Sequence, residues 1–139
     1  MIRLISDRKD FKEKEYLDSF FTRLKMLIIM SKAFLNGYQL ASNRLNEITG
    51  AAEQIIKDCV EWQGRVQNFR SMAESEDKFI FNHIFFQRVK LLATMAKSFS
   101  QGNPMGHYRK MALENNIADL CEMLKFIPQK ADYENMNVA

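Results

Sequence analysis

Residues 34–50 read FLNGYQLASNRLNEITG, and whether a helix passes through them or turns within them decides the architecture. On both sides of this stretch, apolar or small residues recur at alternating steps of three and four. The series runs Leu17, Phe20, Leu24, Leu27, Ser31, Phe34, Tyr38, Ala41, Leu45, Ile48, Ala52, Ile55, Cys59, Trp62, Val66 and Phe69. That is a heptad seam of about seven and a half repeats, the pattern that winds helices into a left-handed bundle or coiled coil. It passes through Gly37, Gly50 and Gly64 without losing phase, which suits one rod from about Asp10 to Ala73, roughly 95 Å long. Against that stand Asn36-Gly37, a pair suited to a left-handed C-cap, and Thr49-Gly50, where a helix could restart. Helices in globular domains are far shorter than such a rod, so the reading adopted is a break.

Downstream, Ser75 offers an N-cap, with acidic residues in the first turn complementing the helix dipole. A helix is predicted from about Glu76 to Ser100, with Phe85, Val89, Leu92, Ala96 and Phe99 on its inner face. The next segment, QGNPMGHYRK (101–110), has the residues of an active-site loop, but each has a turn-making use. Gly102 supplies a positive φ at the C-cap, Asn103-Pro104 cannot continue a helix, and Gly106 releases the chain into the next one. The last helix carries Leu113, Ile117, Leu120, Leu124 and Ile127 and stops at Pro128. The expected fold is therefore all-α, an elongated antiparallel bundle of about four helices over residues 1–128, followed by a polar tail over 129–139. The alternative is one very long N-terminal helix with two shorter helices packed on it.

The totals agree with a single domain. A chain of 139 residues with 47% hydrophobic content is long enough to bury a core without a disulfide or metal staple. Its longest apolar run, Met26–Met30, falls far short of the roughly 20 residues that span a bilayer, so no membrane insertion is expected. The first residues lack the apolar core and cleavage site of a secretory signal, which points to the cytoplasm. Cys59 and Cys121 are isolated from each other and from histidine, so they read as reduced, buried thiols rather than zinc ligands.

Catalytic groups are hard to assemble. His83 has no Asp or Glu three or four residues away, and His107 sits at a helix start beside Tyr108 and Arg109. A nucleophile elbow, a Cys/His signature and a phosphate-cradling glycine loop are all missing from the sequence. The expectation is a protein that is not an enzyme, with no catalytic residues, metal, cofactor or small-molecule substrate.

The informative anomalies are apolar. Around the seam, Met26, Ile29 and Met30 fall on its flanks or far side, and in FIFNHIFF (79–86) one neighbour cannot cover Phe79, Ile80, Phe81, Ile84, Phe85 and Phe86 together. Eleven phenylalanines and nine methionines suit adaptable contact surfaces. Met26, Ile29, Met30, Phe79, Ile80 and Phe86 are the candidate partner interface of a non-enzymatic assembly or adaptor protein, one that self-associates as a homo-oligomer or serves as a small subunit of a larger complex. Basic residues supply the alternative. The formal charge is only +3, but residues 1–32 carry eight basic side chains against five acidic ones, and 65–100 carry six against three. In that reading Arg8, Lys9, Lys12, Arg88, Lys90 and Lys97 of several copies align into a track that binds RNA or DNA.

Overall fold

The computed structural model describes the backbone of residues 2–68 and 76–125, and the side chains of residues 18–61 and 83–125. Among the described residues it holds four helices: α1 (Ile2–Leu35), α2 (Ser42–Asn68), α3 (Glu76–Ser100) and α4 (His107–Leu124). No strand accompanies them in the described residues. The protein is an all-α helical bundle. Ser75, Pro128, Ile127 and the tail over 129–139 lie outside the described residues.

The break falls at Asn36-Gly37, so the single rod from Asp10 to Ala73 is not what the chain forms. Gly37 adopts φ +85°, its N–H donates to the Phe34 carbonyl at 3.0 Å, and the Tyr38 N–H reaches back to Ala33 at 3.1 Å. This pair of bonds is a Schellman closure, which satisfies carbonyls that a helix end otherwise leaves unpaired. The chain repeats it at Gly102, where φ is +86° and N–H groups of Gly102 and Asn103 donate to Phe99 and Ser98. Helix resumes at Ser42 rather than at Thr49, and Gly50 and Gly64 lie inside α2. At its other end α1 extends to Ile2, well before Asp10.

Why did the seam keep phase through a turn? Its two arms belong to different helices that face each other. Phe20, Leu24, Leu27 and Ser31 are buried from α1, and Ile48, Ala52, Ile55 and Cys59 from α2. Tyr38 and Ala41, the seam members at the corner, are exposed. From α3 the buried set is Phe85, Val89, Leu92, Ala93, Ala96 and Phe99, and from α4 it is Leu113, Ile117 and Leu120. Each large apolar side chain removed from water in this way contributes about 1.5–3 kcal/mol.

Cross-helix pairs fix the arrangement. Arg23 meets Asp58, Lys97 meets Glu53, and Arg88 meets Asp119, so α2 runs antiparallel to α1 and α3, and α4 antiparallel to α3. The rings of Phe34 and Phe99 stack at 4.2 Å, placing the C-terminal ends of α1 and α3 together across the centre. Lys110 of α4 lies 5.8 Å from the Phe34 ring, which brings α4 against α1 and closes the bundle.

Candidate interaction surfaces

Met26, Ile29 and Met30 sit at i, i+3 and i+4, so they share one side of α1. Ile29 is 63% exposed, while Met26 and Met30 are half-buried and pack against the core. Two and a half helical turns separate Ile29 from Phe20, which puts it on the side away from the core. Exposed Lys25 and Lys32, four residues before and three after Ile29, border this ridge.

Phe86 belongs elsewhere. Its ring lies 6.3 Å from Phe20 and 5.7 Å from Phe85, and Phe21 lies 5.4 Å from Phe20, so these rings form an aromatic knot between α1 and α3. Phe20 faces the core and Ile29 faces outward, so the thickness of α1 divides Phe86 from the ridge. Phe79 and Ile80 lie in the first two turns of α3, and their side chains are outside the described residues.

A second apolar face, which the sequence marks only at Ile84, spans α3 and α4. Ile84, Arg88 and Leu91 recur at i, i+4 and i+7 on α3, and Tyr108, Ala112, Asn115 and Asp119 at i, i+4, i+7 and i+11 on α4. The Arg88 guanidinium stands 3.4 Å from the Asp119 carboxylate, and the Asn116 side-chain amide donates to the Arg88 carbonyl at 2.9 Å. The two rows therefore run side by side. Ile84 is 40% exposed, Leu91 39%, Tyr108 85% and the neighbouring Met111 46%. A helical wheel drawn outward from the Phe85–Val89–Leu92 seam would have joined Leu91 to Ile84, seven residues apart on its flank.

The basic candidates do not converge among the described side chains. Arg88 turns to Asp119 on α4, whereas Lys97 turns to Glu53 on α2 at 3.6 Å, on the opposite side of α3. Lys90 shares the Lys97 side and lies close enough to Cys59 to influence its thiol. Arg8, Lys9 and Lys12 fall in the N-terminal half of α1, with side chains outside the described residues.

Reactive groups are buried or dispersed. Burial pushes the Cys59 thiol up to about 12, with Lys90 opposing and Asp58 reinforcing the shift, so it stays protonated and a poor nucleophile near neutral pH. Cys121 is a free, half-buried thiol. His83 contacts the Gln87 amide at 3.1 Å, and His107 packs edge-on to Tyr108. Among the described residues, no group of three or more His, Cys, Asp or Glu could hold a metal ion, and no helix is long and apolar enough to cross a membrane. Comparison with protein-family models, with curated proteins and with solved structures found no match to this chain.

Proposed function

We propose that this bundle is a non-enzymatic assembly or adaptor module of the cytoplasm, joining copies of itself or a larger complex through apolar helix faces. The observation that carries the reading is the α1 ridge. Ile29 keeps 63% of its surface in water in the C-terminal part of a helix whose inner face is already filled by Phe20, Leu24, Leu27 and Ile28. An isoleucine there adds little to the monomer's interior, yet covering its exposed part with a partner would contribute about 1–2 kcal/mol. Met26 and Met30 beside it supply adaptable contact area, and Lys25 and Lys32 supply the charged rim that orients docking.

The nucleic-acid reading has less behind it. Arg88 and Lys97 are each engaged by a carboxylate and point away from each other, which is a poor start for a phosphate track.

A photo-crosslinking amino acid placed at Ile29, with Lys57 on α2 as an exposed control, tests the reading in the native cells. Protein adducts at position 29 and none at 57 are the expected result. Silence at 29 overturns it, and adducts to nucleic acid from a crosslinker at Lys97 would favour the alternative.

A further inference from the structure

We infer that the α3/α4 face is the seat of a second copy of this chain, an inference that rests on the assembly reading and names one occupant for one face. Two observations separate this face from the α1 ridge. The first is concentration of apolar surface: Ile84, Leu91, Tyr108 and Met111 are four of the seven large apolar side chains exposed among the described residues. The second is charge. A face that docks on its own copy meets its own charges, so any net charge at its centre becomes a repulsion.

On α1, Lys25 and Lys32 flank Ile29, and a second copy would bring two more lysines against them. On the α3/α4 face the central charges cancel within each copy, because Arg88 is paired with Asp119. The Glu122–Lys125 pair at its border, 2.8 Å apart, is neutral as well. Around these lie uncharged Gln87, Thr94, Ala112 and Asn115. Arg109 stands at one end of the face, away from its centre.

The size is sufficient. Two adjacent helices along the 18 residues of α4 present a surface about 27 Å long and about 20 Å wide. That is about 500 Å² in projection on each copy, which reaches the roughly 1,000 Å² in total at which a specific interface becomes credible.

Sedimentation equilibrium of the full chain over a concentration series, with circular dichroism to confirm folding, decides the matter. The wild type is expected to dimerise, and Leu91→Lys and Asn115→Lys each to weaken dimerisation by at least tenfold. Asn115 is exposed, so its variant keeps the test open if Leu91→Lys fails to fold. A wild type that stays monomeric at every concentration overturns the inference and leaves the assembly reading to a different protein. A dimer that withstands both lysines and dissociates with Ile29→Asp overturns the inference alone. Failure of the α1 ridge as a contact surface would show separately, as silence of the crosslinker at position 29 while the dimer persists.

Discussion

Arg23 of α1 stands 3.8 Å from the carboxylate of Asp58 on α2, and that carboxylate has no exposed surface. Gln54, one turn earlier on α2, donates its amide to the other carboxylate oxygen at 2.9 Å. A buried carboxylate needs such partners, because taking it out of water costs several kcal/mol unless the charge is answered. Arg23→Ala should therefore destabilise the bundle by about 2 kcal/mol or more, even though the Gln54 bond remains. Replacing both members, as Arg23→Met with Asp58→Leu, removes the charge together with its partner. Stability should then return to within about 1 kcal/mol of wild type. Urea unfolding of the single and double variants measures both quantities. A double variant as weak as the single one would mean that the pair contributes more than register.

The two corners set up a contrast among the glycines. Gly37 and Gly102 hold φ values of +85° and +86°, where a side chain is strained whatever space surrounds it. Alanine at either should cost about 1 kcal/mol, because an L side chain is disfavoured at a left-handed φ. Gly50 lies inside α2, and a Cβ there meets nothing within 4 Å. Gly50→Ala should stabilise by about 0.5–1 kcal/mol through helix propensity. Thermal melts of the three variants check the opposite signs.

Phe34 and Phe99 stack at 4.2 Å with their planes 7° apart, tying the ends of α1 and α3. Phe99 is buried and Phe34 only partly so. Phe99→Ala should cost about 3–5 kcal/mol, from lost transfer energy and the void left behind. A double-mutant cycle with Phe34→Ala should yield a coupling of about 0.5–1.5 kcal/mol. Additive losses would show that the stacked geometry brings nothing beyond burial.

Cys59 makes stability depend on alkaline pH. Burial holds its thiol near 12, against 9.0 for an ordinary cysteine, so the folded protein keeps a proton that the unfolded chain releases. The contribution is complete below about pH 9 and is lost between there and about 12, at up to about 1.4 kcal/mol per pH unit. Unfolding free energies measured from pH 8 upward should fall more steeply for wild type than for Cys59→Ala. Equal slopes for the two proteins would refute the assignment. The same burial predicts that a thiol reagent labels Cys59 only as fast as the protein opens.

The limits of α3 were legible, at Glu76 and Ser100, because the acidic start and Gly102 punctuate a clear apolar period. The break at Gly37 was only half legible. An intact seam argues for continuity in one helix, yet it also arises when two antiparallel helices offer their inner faces to the same core. The positive φ of Gly37, with its Schellman bonds, and the exposure of Tyr38 and Ala41 separate the two cases. Among the surface residues, Ile29 was visible as an isoleucine on the wrong side of a seam. Phe86 looked equivalent, and its half-buried ring packs against Phe20 and Phe85 on a different side of α1 from Ile29. Leu91 and Met111 each look ordinary alone, and they gain meaning from the pairing of α3 with α4.

Local periodicity determined which residues of each helix turn inward, because burial of an apolar stripe repeats with the helix itself and needs no knowledge of the partner. The pairing of helices decided everything that depends on distant residues. It set the partners that answer Asp58, the split of Arg88 and Lys97 to opposite sides of α3, and the joining of Ile84 and Leu91 with Tyr108 and Met111. Side chains remote along the chain meet only after close packing has chosen one arrangement of the rods.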